Sequence, residues 1–290
     1  MPLLSPLVTP EDLRLVLGND RLRIFDATVF LVRAPEGGPY TAQSDRAGYE
    51  RAHLPGAAFA DIPGELSDAA SPFAFTVPSP AQFAEAAGRL GIGNTHHVVA
   101  YSHESPRWAT RLWWLLRYFG HEDASVLDGG LAAWVASGGT VESGPAHYPG
   151  TTFIAHPRPE LLASLDDVRA IAEGQHPQPV QLVNALPPAA FKGEGPTSYS
   201  RPGRIPTSLN LPSSNLLDSS NRFLPPAELD RAFAEAQVAK DEPVVAYCGG
   251  GISATVDLFA LFLAGAQKAR LYDGSLSEWS ADAALPLVTG

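Results

Sequence analysis

The sequence predicts an α/β fold in which a mostly parallel sheet flanked by helices is built twice in tandem. Short β-branched runs alternate with helical patterns along most of the 290 residues. The alternation breaks once, over 144–159, where Pro145, Pro149, Pro157 and Pro159 fall in a stretch with no clear period. The segments on either side match each other. Val98-Val99-Ala100-Tyr101-Ser102 aligns with Val244-Val245-Ala246-Tyr247-Cys248, and Leu127-Asp128-Gly129-Gly130 followed by Trp134 aligns with Tyr272-Asp273-Gly274-Ser275 followed by Trp279. The spacing agrees, with 26 positions from Ser102 to Asp128 and 25 from Cys248 to Asp273. The expected organisation is a first domain over 1–143, a linker over 144–159 and a second domain over 160–290.

Each element has a local cause. Thr9-Pro10-Glu11-Asp12 starts a helix with a capping hydroxyl, proline in the first turn and early acids, and Gly18 ends it. Arg21 to Ala27 reads as a strand, followed by a loop rich in Gly, Pro and Ser that leads to the turn His53-Leu54-Pro55-Gly56 and a short strand. Ser79-Pro80 caps a helix over 81–90. A strand over 97–101, a helix over 107–119, a strand over 124–127 and a helix over 131–137 close the first half. Trp108, Trp113, Trp114 and Trp134 lie on helical faces, where core and interdomain packing are expected. In the second half the pattern gives helices over 165–173 and 225–237 and strands over 180–184, 244–247 and 269–272, with Arg204-Ile205-Pro206-Thr207 in the place of the earlier His53 turn.

Composition narrows the function. A chain that is 45% hydrophobic and 18% charged is globular and large enough for two cores. Its net charge of −11 repels nucleic acid and anionic membrane surfaces, so neither is expected as the main partner, and an anionic substrate would need a local basic patch. The first residues lack a basic region followed by a long apolar core, and no span of membrane length is evident, so a cytoplasmic location is expected. A single cysteine rules out an intramolecular disulfide. HExxH, CxxC and clustered carboxylates are absent, and no metal or cofactor is expected.

That one cysteine, Cys248, lies where a strand passes through Gly249-Gly250-Gly251 into the helix that begins near Ser253. Three glycines allow backbone angles that side chains forbid, so successive N–H groups can converge on one anion, and the helix N-terminus adds positive potential. Both effects lower a thiol pKa and favour a reactive thiolate. A lone cysteine is often an inert core residue, but a core residue gains nothing from a glycine triplet. The phosphate-loop pattern GxxxxGK[ST] does not occur here.

Taken together, His53-Leu54-Pro55-Gly56-Ala57, Leu127-Asp128-Gly129-Gly130, Cys248 to Thr255 and Tyr272-Asp273-Gly274-Ser275 with Glu278-Trp279 resemble the tandem-domain rhodanese-type sulfurtransferases, the thiosulfate and 3-mercaptopyruvate sulfurtransferase family. The resemblance covers nearly the whole chain. It implies two rhodanese-like domains, the first degenerate because Ser102 replaces the cysteine and His103-Glu104-Ser105-Pro106 replaces the glycine loop. It further implies a Cys248 nucleophile whose thiolate and persulfide are cradled by the amides of Gly249, Gly250, Gly251, Ile252 and Ser253. The donor would be a small sulfur-bearing anion and the acceptor an external thiol or cyanide, since the chain has no resolving cysteine. Cysteine phosphatases place an arginine six positions after the nucleophile, and that position is Ala254.

The sequence departs from the family at the substrate cations. An Asp-x-Arg and a nearby arginine are replaced by Asn184, Leu186 and Ala190. The remaining substrate-binding candidates are Arg201, Lys192, Arg204, Thr255 and His53, with helix capping the competing role for Ser253 and Thr255 and turn fixation the competing role for His53. Thiosulfate is the expected donor over 3-mercaptopyruvate, because position 250 lacks a serine that could assist the ketoacid reaction. A persulfide carrier or sensor serving a protein partner and a non-catalytic binding protein are the other readings.

Overall fold

The structure, a computed structural model, describes residues 2–33 and 40–290. The first half runs β1 (Leu7–Val8), α1 (Pro10–Val16), β2 (Leu22–Asp26), β3 (Val29–Arg33), β4 (Tyr40–Ser44), α2 (Arg46–Arg51), β5 (Ala58–Phe59), α3 (Ile62–Glu65), α4 (Pro80–Arg89), β6 (His97–Tyr101), α5 (Arg107–Tyr118), β7 (Ala124–Leu127) and α6 (Gly130–Ala136). The second runs β8 (Leu162–Ala163), α7 (Leu165–Ala172), β9 (Gln181–Asn184), α8 (Pro188–Lys192), β10 (Leu209–Asn210), α9 (Pro226–Glu235), β11 (Val244–Tyr247), α10 (Ala254–Leu263), β12 (Ala269–Tyr272) and α11 (Ser275–Trp279). Caps set several starts: Thr9 Oγ1 accepts from the Asp12 amide at 3.1 Å, and Ser79 and Ser164 each form a reciprocal capping box.

The two halves repeat one topology. The first sheet is ordered β1-β7-β6-β2-β5 and the second β8-β12-β11-β9-β10, with every pairing parallel. Their turns repeat as well. The Tyr101 hydroxyl accepts the Leu54 amide at 3.3 Å, and the Tyr247 hydroxyl accepts the Ile205 amide at 3.1 Å. Trp134 Nε1 donates to the Thr140 carbonyl at 2.7 Å, and Trp279 Nε1 to the Pro286 carbonyl at 2.8 Å.

Period-2 alternation sorts the central strands onto two faces. Val98 and Ala100 of β6 and Val244 and Ala246 of β11 enter one apolar core shared by both halves, whereas Val99 and Tyr101, and separately Val245 and Tyr247, enter outer cores. Helices α5 and α10 pack across the seam, where Trp113 meets Phe259 edge-on at 4.7 Å.

Several short elements lie outside the expected set, among them β1, α2, α3, α8 and β8. The Gly/Pro/Ser-rich loop after Ala27 contains the antiparallel β3–β4 hairpin, because Val29-Phe30-Leu31-Val32 is itself a β-branched and aromatic run. The expected loop includes residues 34–39, which lie outside the described residues.

Candidate active site

Strand β11 is buried along its length between β9 and β12, so Cys248 emerges at the carboxyl edge of the second sheet. This is where parallel α/β sheets form their clefts. Ser275, at the start of α11, fixes the loop that follows. Its Oγ accepts from the Cys248 and Gly251 amides, each at 3.1 Å, and donates to the Tyr272 carbonyl at 2.9 Å. The loop's carbonyls are tied too. Cys248 O accepts from the Leu276 amide at 3.1 Å, Gly249 O from the Ser277 amide at 2.8 Å and hydroxyl at 2.7 Å, and Gly251 O from Arg111 at 3.3 Å.

A trans peptide points its N–H opposite its carbonyl. With those three carbonyls anchored, the amides of Gly249, Gly250 and Ile252 face away from the anchors, and with that of Ser253 they have no hydrogen-bond partner among the described residues. All four residues line the cleft above Cys248. Gly251 corrects the expected set of five, since Ser275 already occupies its amide. Ser253 makes no side-chain cap to α10 and lines the cleft instead.

The first domain holds this loop from beneath. Arg111 of α5 is fully buried, and its Nη1 lies 2.7 Å from Asp273 Oδ1 while Nη2 donates to the Phe75 carbonyl. Asp273 Oδ2 accepts the Val77 amide at 2.7 Å. Beside them the Thr110 and Thr255 hydroxyls meet at 2.8 Å across the seam.

The cleft has a volume of about 440 Å³ and lies between the domains. Leu31, Tyr40, Phe75 and Arg107 of the first half face Leu186, Tyr199 and Ile252 of the second, and Cys248 forms part of the floor. The cysteine is 2% exposed, deeper than the sequence reading implied, and the cleft is its route to solvent.

None of the expected substrate-binding candidates lines this cleft. Arg201 is spent on the carbonyls of Ser280, Asp282 and Leu285, where it ties down the C-terminal loop. Arg204 donates to the Gly290 carbonyl and covers the Phe191 ring. Lys192 is exposed at the end of α8. Thr255 is fully buried with its hydroxyl donating to Ile252 O at 2.7 Å. His53 is buried in its own turn, with Nδ1 2.9 Å from Tyr49 O and its ring stacked on Tyr49. The sequence reading missed Arg107, Arg111 and the Ser275 hydroxyl. Only Ser275 had a local signal, being the one residue of Asp273-Gly274-Ser275 that differs from Asp128-Gly129-Gly130.

That difference separates the two halves. Gly130 and Ser275 share a left-handed backbone, φ 56° and 52°, but a Cβ on Gly130 would overlap the Ser102 carbonyl. The first repeat therefore has no space for the hydroxyl that fixes the loop of the second. Its Ser102 is 3% exposed, and neighbouring His103 is engaged by Asp26 at 2.8 Å.

The rhodanese-like domain family matches this chain twice, over residues 9–137 and 164–282. The chain belongs to the rhodanese family. It is 34% identical to the 3-mercaptopyruvate sulfurtransferase of Mus musculus over 273 residues, 93% of this chain and 88% of that protein. The Gallus gallus thiosulfate sulfurtransferase is 33% identical over 260 residues, 89% of this chain and 86% of that protein. The crystal structure of SseA from Escherichia coli superposes with a TM-score of 0.80 at 32% identity, covering 94% of this chain and 99% of that one. Like these relatives, this rhodanese is an enzyme of the sulfurtransferase type. Among the described residues, no helix is long and apolar enough to cross a membrane, and no three His, Cys, Asp or Glu side chains group as a metal site.

Proposed function

We propose that this protein transfers sulfur through a persulfide on Cys248. The observation that carries the reading is that Gly249, Gly250, Ile252 and Ser253, whose amides have no hydrogen-bond partner among the described residues, line the same cleft as the cysteine. Such donors stabilise a thiolate before transfer and a persulfide anion after it, an arrangement that acts where charge develops. The Cys248 thiolate attacks the sulfur of the donor. With 3-mercaptopyruvate the carbon–sulfur bond breaks, its electron pair leaves as the enolate of pyruvate, and the carbon takes the proton that was on the donor thiol. An external thiolate or cyanide then attacks the outer persulfide sulfur, and Cys248 departs as a thiolate.

The charge of the cleft bears on the donor. Arg107 is the one cation among its described lining residues. A single guanidinium matches the one carboxylate of 3-mercaptopyruvate, whereas thiosulfate would hold a second charge against apolar walls at a desolvation cost. Position 250 is glycine, which favours thiosulfate, but Ser213, Ser214 and Ser253 line the same cleft and can take the place of a serine there. The proposed donor is therefore 3-mercaptopyruvate. Steady-state rates with both donors test it: kcat/KM at least about tenfold higher for 3-mercaptopyruvate, roughly 1.4 kcal/mol, supports the assignment, and equal or reversed values refute it.

A further inference from the structure

Arg107 belongs to the repeat that has no nucleophile, yet it lines the cleft of the repeat that has one. It is half-buried, and its guanidinium has no hydrogen bond or ion pair among the described residues. The other arginines nearby are committed: Arg111 to Asp273, Arg201 to backbone carbonyls and Arg204 to the chain terminus. A half-buried arginine that shares a cleft with Phe75 and Ile252 offers its charge to an anion entering that cleft, and its planar fork suits a carboxylate.

Its backbone is fixed on the seam. The Arg107 carbonyl accepts from Thr110 Oγ1 at 3.0 Å and lies 3.3 Å from Thr255 Oγ1, whose proton goes to Ile252 O, 2.7 Å away at the end of the cysteine loop. Arg107 is thus placed with respect to Cys248 through one shared side chain. It also stands in the first turn of the twelve-residue α5, whose N-terminal potential has the same sign.

We propose that Arg107 is the group that binds the donor's carboxylate, so that the domain without a nucleophile supplies the substrate-binding cation. This rests on the sulfur-transfer reading above. The second repeat contributes the sulfur and its amides, and the first selects for charge.

The test uses two alkylating agents on the full chain. In each the Cys248 thiolate displaces iodide and forms a carbon–sulfur bond, but iodoacetate carries a carboxylate and iodoacetamide is neutral. The ratio of the two rates at Cys248 reports a cation at the site and needs no turnover. Arg107→Ala and Arg107→Gln are expected to lower the ratio about tenfold or more, since any change in thiolate content acts on both reagents and cancels in the ratio, and Arg107→Lys to restore most of it. In parallel, KM for 3-mercaptopyruvate rises by a similar factor in Arg107→Ala, with kcat changing much less. A ratio unchanged in both neutral variants overturns the proposal. Failure of the sulfur-transfer reading is seen separately, as wild-type protein that takes up no sulfur from a donor.

Discussion

Arg111 and Asp273 meet at 2.7 Å across the domain seam, one from the fifth helix of the first repeat and the other from the turn after the last strand of the second. The arginine is fully buried and also holds the Gly251 carbonyl, so the cysteine loop rests on a side chain from the other domain. Removing one partner strands the other charge away from water. Arg111→Met is expected to cost about 3–5 kcal/mol in urea unfolding, and Arg111→Met with Asp273→Leu to cost less than Arg111→Met alone. A double variant less stable than the single one would contradict this reading of the contact.

The three loop glycines differ in what they require. A Cβ on Gly249 would overlap the Tyr199 hydroxyl, and Gly251 combines φ 74° with an approach of 2.8 Å to the Asp273 carbonyl. At Gly250 the nearest atom would be 3.5 Å away, on Phe75. Gly250→Ala should therefore keep wild-type stability within about 0.5 kcal/mol, while Gly251→Ala loses about 1–3 kcal/mol. Gly249→Ala should displace Tyr199 and depress activity. Thermal unfolding and steady-state rates on the three variants check the order, and equal effects at 250 and 251 would refute it.

Ser275 carries opposing requirements, since its hydroxyl holds two amides while its Cβ sits at φ 52°. Ser275→Ala leaves those amides without their acceptor and keeps the backbone strain, at a cost of roughly 1–3 kcal/mol. Ser275→Gly loses the same hydrogen bonds but relieves the strain, so it should be the more stable variant by about 1 kcal/mol. Both should lose sulfur-transfer activity through a loosened loop. Chemical denaturation curves for the pair decide the order.

Asp257 gives a pH signature. It is fully buried in α10, neither carboxyl oxygen has a hydrogen-bond partner among the described residues, and burial pushes its pKa well above the usual carboxylate range. The folded state keeps this proton while the unfolded chain releases it above about pH 4. Its contribution to stability is therefore intact in acid and falls as pH rises past the unfolded value, by up to about 1.4 kcal/mol per pH unit until the folded group ionises. Asp257→Asn removes that dependence. The difference in unfolding free energy between variant and wild type should widen in the variant's favour from pH 4 to pH 8, and parallel curves would contradict the assignment.

What could be read from the sequence follows from distance along the chain. The alternating strands and helices, the duplication and the Cys248 loop are local patterns, and they appear where the residues predict them. The β3–β4 hairpin was hidden because its apolar run adjoins a Gly- and Pro-rich stretch that reads as loop. Arg107 and Arg111 reach the site only when two sheets are assembled side by side, and no local signal separates them from Arg201. The turn residues His53 and Arg204 are conspicuous in sequence for another reason. Both flank turns whose next amide is held by a buried tyrosine hydroxyl, so they serve the fold and stand apart from the cleft.

The central claim is that Cys248 carries the sulfur, and intact mass spectrometry tests it most directly. After treatment with 3-mercaptopyruvate and removal of excess donor, wild-type protein should gain the mass of one sulfur atom, localised to the peptide containing Cys248 and discharged by cyanide, and Cys248→Ser should gain nothing. An unmodified wild-type protein, or a sulfur adduct that persists in Cys248→Ser, would contradict the account.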